Sequence, residues 1–361
     1  METSNDVQRS GTSLKRRLFS PTALLSVVIA VAAMALAATQ FNHDWGATWE
    51  SIRSMNPWLY ATGFVLYYAS FWFRGLRWRI LARNAGIGSA PGERVPSAWE
   101  SARLIIIGWF INAISWLRIG DAYRAYGFAH DSRSSFSKSL GTMLAERALD
   151  MATILAIVAV TAVLLTTTHR SPITAYLLVA AVVMALGLTI MLIVMRLYGV
   201  RLARLLPRRL EKSYQHFHEG TLGSFKNLPA LLMLGLLGWA LEITRLYFVI
   251  QALDLSISLP LVILVAFGHA ILSIVPTPGG VGAVEPGVTG LLMISLARPD
   301  AVAVTLLDRS ITYVSVIVFG VLVFGLRQVE QARRAIPRGA LIRDRPVDAS
   351  DWEDRPDNLL T

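Results

Sequence analysis

Charged side chains recur inside the apolar stretches of this 361-residue chain, and they come as acid and arginine groups. Glu146, Arg147 and Asp150 occur in LGTMLAERALDMATILAIVAV, Glu242 and Arg245 in WALEITRLYF, and Asp308 and Arg309 in VTLLDRSITYVSV. A charge at mid-bilayer costs roughly 2.5 to 3.5 kcal/mol on insertion scales, so such positions are kept for pairing or for function. Helical spacing decides which of them can meet. Glu146 and Asp150 are four apart and share a face, as do Glu242 and Arg245 three apart, while Arg147 points elsewhere. Glu242 and Arg245 read as a self-satisfied structural pair, and His269 beside Gly268 reads as a hydrogen-bonded packing residue. Glu146, Arg147, Asp150, Asp308 and Arg309 read as functional. The cations within or at the ends of the apolar segments, Arg103, Arg147, Arg245 and Arg309, are all arginine. A guanidinium grips a phosphate through two donors at once, which an ammonium cannot do. The chemistry these residues suit is recognition of an oxyanion. Covalent catalysis is poorly served, since these acids and the one histidine among them, His269, lack metal-ligand spacing and no nucleotide loop, GxSxG or HExxH is present, so the chain is not expected to be an enzyme and no cofactor is expected.

A second kind of feature is Pro276 to Gly290, PTPGGVGAVEPGVTG, which lies inside an apolar run. Pro276, Pro278, Gly279, Gly280 and Gly282 remove a backbone donor or loosen the chain within seven positions, and Glu285 then sets a carboxylate among apolar neighbours. Broken backbone survives in hydrocarbon only where protein covers it or where it lines a wet cavity. The segment predicts two half-helices meeting inside the membrane, a pattern that points to a transporter binding site.

These groups require a membrane scaffold, and composition supplies one. The chain is 54% hydrophobic and only 16% charged, outside the range of ordinary soluble domains. The expected fold is an all-α polytopic membrane protein with about six full transmembrane helices and two re-entrant or broken hairpins entering from opposite faces. A basic N-terminus at 1–20 precedes a retained helix over Pro21 to Thr39. Pro57 to Phe73 is the second span, Ser139 to Leu165 the third, Ile173 to Val194 the fourth, Pro229 to Gln251 the fifth and Ala301 to Leu326 the last. Leu104 to Trp116 is apolar but shorter than a span needs. It and the Leu261 to Leu296 hairpin are either re-entrant or thin, tilted spans. Residues 196–228 form a basic, amphipathic segment along the surface, and the charged tail 327–361 is expected to be disordered from about Pro346.

Of the 34 Lys and Arg, 27 fall in the N-terminus, the stretch after Phe73, the segment from Arg118 to Lys138, the Arg196 to Lys226 stretch and the tail. The positive-inside rule then places both termini in the cytoplasm of a prokaryotic plasma membrane. Those basic residues are accounted for by topology and anionic lipid, so no nucleic-acid partner is expected.

Four motifs in order, RIGDAYRAY, LAERALD, PTPGGVGAVE and LLDRSITY, resemble the successive signatures of the membrane domain of lysylphosphatidylglycerol synthases. That domain also occurs alone in flippase-like prokaryotic membrane proteins. The resemblance covers roughly Pro21 to Leu326 and carries no aminoacyl-transferase domain, so lysyl transfer is not implied. It implies a headgroup site of Arg118, Gly120, Asp121 and Arg124, of Glu146, Arg147 and Asp150, of Gly279, Gly280, Gly282 and Glu285, and of Arg309, to which the residues themselves add Asp308. Where the family usually carries a proline before Arg118, this chain has Trp116, which weakens the case for a sharp break there. The implied function is movement of a phospholipid or polyprenyl-phosphate head between leaflets. Arg147 and Arg309 would hold the phosphate, Arg118 and Arg124 would receive it at the cytoplasmic side, and Glu285 or Asp308 would offer a proton path. The alternative is an accessory protein for a lipid or envelope glycosyltransferase. The implied partners are an anionic or phosphate-bearing lipid and either a second copy or a membrane enzyme.

Overall fold

A computed structural model describes residues 44–166, 172–204 and 207–335. The basic N-terminus, the retained helix at 21–39 and the tail from Pro346 lie outside the described residues. By internal contacts the chain separates into a unit ending at Val321 and a second starting at Leu322. Of the second, Leu322–Ala335 is described and is helical. The contacts and the site described below lie within the first.

Among the described residues the structure is helical with no strand, as expected of an all-α chain. A short helix absent from the sequence reading, α1 (Trp45–Arg53), comes first. The Thr48 hydroxyl donates to the Pro299 carbonyl at 3.2 Å and Ser51 to Asp300 at 3.1 Å. Helix α2 spans Pro57–Asn84, with Pro57 at its first turn and the Asn56 side chain accepting from Trp58 and Leu59, a pre-organised start. The helix does not end at Phe73. Arginine is a good helix former, and Arg74 and Arg77 find partners on neighbouring helices, so the chain has no cause to stop there.

Helix α3 (Ala98–Ile114) opens on a capping box between Ser97 and Glu100. It stops where Ser115 turns extended, and Leu117 and Arg118 then take left-handed conformations, φ 61° and 53°. The break therefore forms without the missing proline, through two side-chain-bearing residues in a region that costs them about 1 to 3 kcal/mol each. Helix α4 (Ile119–Ser132) returns alongside α3. RIGDAYRAY forms the tip and first turns of a helical hairpin. A Cβ on Gly120 would lie 2.0 Å from the Gly108 carbonyl, so the two helices cross with backbone against backbone.

Helices α5 (Phe136–Thr166), α6 (Pro172–Ala203) and α8 (Leu228–Ala252) are 31, 32 and 25 residues long, above the ~20 that a bilayer requires. Between α6 and α8 the basic segment folds into α7 (Arg208–Gly223), which packs against the start of α5. Its approach is close enough that a Cβ on Gly220 would sit 2.2 Å from the Lys138 carbonyl.

The predicted broken hairpin is α9 (Leu259–Leu272), a 3-10 turn at Pro278–Gly280, and α10 (Val284–Leu292). Gly279, Gly280 and Gly282 all have positive φ, between 58° and 86°. Helix α11 (Arg298–Arg309) passes through a π-helical turn at Ser310–Val314 into α12 (Ser315–Ala335). A single π turn inside a helix frequently marks a functional position, and this one begins directly after Asp308 and Arg309. Helix α8 and the run from Arg298 to Ala332 are both long and apolar enough to cross a bilayer.

Candidate functional site

The two helix breaks meet. The Arg118 guanidinium at the α3/α4 tip donates to the Ser273 carbonyl at 2.7 Å, just past the end of α9. The Tyr313 hydroxyl, on the π turn, donates to the Ala113 carbonyl at 3.2 Å. Gly279 sits in this junction: a Cβ there would reach within 2.3 Å of the Tyr313 ring, and its φ is +58°. Only glycine meets both demands. Beside the junction lies a cavity of about 330 Å³ whose wall contains five arginines (Arg74, Arg118, Arg147, Arg245 and Arg309) and three carboxylates (Asp121, Asp150 and Glu242). The wall therefore presents more guanidinium than carboxylate groups.

At and behind that wall the charges are tightly partnered. Glu146 is shared between Arg124, in a very short contact, and Arg77 at 3.5 Å. Arg77 also grips Asp150 at 2.6 Å. The Arg124 guanidinium rests over the Trp78 ring, 4.3 Å from its centre. These four charged residues are buried, with none above 5% exposed. The i to i+4 spacing of Glu146 and Asp150 does put them on one face, and what fills the space between them is an arginine from α2.

A second group joins α2, α8, α9 and α11. Arg245 makes a very short contact with Asp308 and reaches Glu242 at 3.3 Å. Glu242 also takes Arg74 at 3.1 Å, and His269 lies 3.0 Å from Asp308. Glu242 and Arg245 are therefore not the self-contained pair expected from their spacing but the middle of a chain of partners. His269 does have the polar partner expected of it, Asp308 at 3.0 Å, and it also lines the cavity.

At the glycine break Arg309 is the central cation. Its Nε lies 2.9 Å from the Glu285 carboxylate, its Nη2 donates to the Gly279 carbonyl at 3.0 Å, and its plane lies over Tyr313 at 4.5 Å. Glu285 in turn accepts from the Gly282 backbone N–H at 2.8 Å. The pair thus ties α11 to the broken segment.

The remaining charges are held differently. Asp121 lies between Arg118 at 3.5 Å and Arg147 at 3.7 Å, one arginine to each carboxylate oxygen, and accepts from the Asn112 amide at 3.3 Å. These distances are long beside the 2.7 to 2.9 Å of a well-made charge-assisted hydrogen bond. The side chains stay accessible, at 31% for Arg118, 26% for Asp121 and 41% for Arg147. Arg147 does leave the face of Glu146, yet it opens onto the same cavity as Asp150.

Of the residues singled out from sequence, Arg118, Asp121, Arg147, Asp150, Gly279 and Arg309 line the cavity. Glu146, Glu285 and Asp308 stand behind it as counter-ions. Arg124 is 1% exposed and committed to Glu146, which places it behind the wall rather than at a receiving mouth. Gly280 and Gly282 shape the break. Arg74, Arg77, Trp109, Asn112 and Trp239 were not singled out. Arg74 and Arg77 fall in the basic stretch after Phe73, yet with Arg118 and Arg124 they are network members rather than loop charges, so the positive-inside count overstates the basic stretches. A signal for Arg74 existed: Tyr67, Phe71, Arg74, Trp78 and Leu81 continue a 4-3-4-3 spacing past Phe73, the mark of one unbroken helix face.

The sequence has known relatives. The sequence profile of the lysylphosphatidylglycerol synthase TM region matches residues 23–320. A UPF0104 membrane protein of Methanocaldococcus jannaschii is 27% identical over 218 residues, 60% of this chain and 93% of that protein. A UPF0104 membrane protein of Methanothermobacter thermautotrophicus is 24% identical over 326 residues, 82% of this chain and 93% of that protein. With its charged helices, its two meeting breaks and a profile match over nearly 300 residues, the chain is a membrane protein and belongs to the lysylphosphatidylglycerol synthase TM-region family.

Proposed function

We propose that this protein moves the phosphate-bearing head of a membrane lipid between leaflets, with the arginine-lined cavity as the station at mid-passage. The observation that carries the reading is the cavity wall itself, five arginines against three carboxylates where two interrupted hairpins touch. A lipid head crosses hydrocarbon only if its charge is solvated on the way, and arginines offer a phosphate several donors in a fixed fork. Interrupted helices are the membrane-protein means of bringing backbone and charge to the midplane. In this reading α3/α4 and α9/α10 are re-entrant, entering from opposite faces and meeting at their tips. Both termini are cytoplasmic, and no bond of the lipid is made or broken.

The test is transport by the full chain reconstituted into liposomes containing acyl-labelled phosphatidic acid. The wild type is expected to exchange label between leaflets, and Arg147→Ala to slow that exchange about tenfold or more, the worth of one charge-assisted contact, while inserting as well as the wild type. Equal rates for wild type, Arg147→Ala and empty liposomes would overturn the proposal. Mass spectrometry of lipid that copurifies with the protein then identifies the natural head.

A further inference from the structure

Among the described residues, every acid near the cavity other than Asp121 is matched to an arginine at close range. Asp150 holds Arg77 at 2.6 Å, Glu285 holds Arg309 at 2.9 Å and Glu242 holds Arg74 at 3.1 Å. Asp121 instead stands between two arginines and satisfies neither fully, at 3.5 and 3.7 Å. Its two oxygens face two guanidiniums from different helices, as two oxygens of a phosphate would. Both arginines remain about a third or more exposed, so the space around them admits a further anion. Arg118 has a second commitment, the Ser273 carbonyl at 2.7 Å, which ties it across to the other break.

Resting on the headgroup reading above, we infer that Asp121 is an internal stand-in for the phosphate: it occupies the Arg118 and Arg147 pair when no lipid head is present and competes the head off after passage. A carrier gains nothing from a station that binds too well, because an ion held by two unopposed arginines in low dielectric leaves slowly. A resident carboxylate on the same two cations lowers the affinity and speeds the exit. Asn112 supports this role. Its amide donates to Asp121 while its carbonyl accepts from the Gly120 N–H at 2.8 Å, so the carboxylate is steered by the α4 start and not left to swing.

The inference separates from a merely structural role by the sign of one effect. If Asp121 only held the arginines in place, removing its charge would loosen them and weaken anion binding. If it competes, removing its charge strengthens binding and slows release. Asp121→Asn keeps size and the contact with Asn112, and Asp121→Ser provides a second neutral side chain should the first not fold. In detergent, the full chain is titrated with dihexanoyl phosphatidic acid and, separately, with inorganic phosphate, following tryptophan fluorescence, since Trp109 and Trp239 line the cavity. Tighter binding of phosphatidic acid identifies a lipid as the source of the phosphate, and tighter binding of inorganic phosphate identifies a free anion.

For the better-bound probe, Asp121→Asn is expected to tighten binding about tenfold, the worth of one part-buried charge-assisted contact. Stopped-flow release should slow by a similar factor, and lipid exchange in liposomes should fall. Binding that is unchanged or weaker in both neutral variants overturns the role of Asp121 while leaving the headgroup reading intact. A wild type that binds neither probe, with Arg147→Ala equal to wild type in exchange, overturns the headgroup reading itself.

Discussion

Two groups of charges in this molecule use the same residue types to opposite ends. In the group built on Arg77, Arg124, Glu146 and Asp150, every member is buried and two contacts are at or below 2.6 Å. In the group built on Arg118, Asp121 and Arg147, no contact between charges is shorter than 3.5 Å and every side chain is partly exposed. In the first, each charge already meets an opposite charge inside the protein, and of the four only Asp150 reaches the cavity wall. The second is left open. Residue type alone therefore says little about function in an apolar protein. What separates scaffold from site is whether the protein has already supplied each charge with a partner.

The contrast is broken or sharpened by substitution. Glu146→Ala strips the shared partner from Arg77 and Arg124 and leaves uncompensated buried charge. A loss of about 3 to 5 kcal/mol is expected, seen as collapse of the melting transition in detergent and of the monodisperse yield. If that variant melted like the wild type, the closed group would have no structural role. Gly120→Ala should cost about 1 to 3 kcal/mol by forcing α3 and α4 apart, because the added carbon would fall 2.0 Å from the Gly108 carbonyl. Gly238→Ala in α8 is its control, with no atom within 4 Å of the added carbon, and should melt like the wild type or slightly higher.

Arg309→Lys retains a positive charge but loses the fork that joins Glu285, the Gly279 carbonyl and the Tyr313 face. About 1 kcal/mol of stability is expected to go, together with much of the lipid exchange. A lysine variant with full exchange would show that a point charge suffices at the break. The smallest effect on stability should come from Arg147→Ala, within about 0.5 kcal/mol of wild type, even though exchange in liposomes falls. A large drop in melting temperature would move Arg147 out of the open group and into the closed one.

Much of this was legible in the chain itself, for reasons that can be named. The glycine and proline cluster at 276–290 is incompatible with a continuous helix, so the α9/α10 break follows from local backbone rules alone. The spacing of Glu146 and Asp150 follows from 3.6 residues per turn. The α3/α4 break was harder to see, because its agents are Leu117 and Arg118 in left-handed conformations rather than a proline. Arg77 is harder to place from sequence, because the apolar run ends at Phe73 while the helix runs on to Asn84. A hydropathy reading stops at the first arginine, whereas the helix continues for as long as its arginines find acids on other helices.

By itself the sequence determined that the chain is helical and membrane-bound, that one hairpin must break at Gly279, and that its arginines and acids belong to one family pattern. Those properties depend on composition, turn chemistry and neighbours within a few residues. Which arginine meets which acid was decided only by the tertiary structure. Arg77 and Asp150 are 73 positions apart, Arg245 and Asp308 are 63 apart, and Arg118 reaches Ser273 across 155. Coulomb attraction falls with distance in space and is indifferent to distance along the chain. Helix packing alone therefore settled which charges were closed off and which were left facing the cavity.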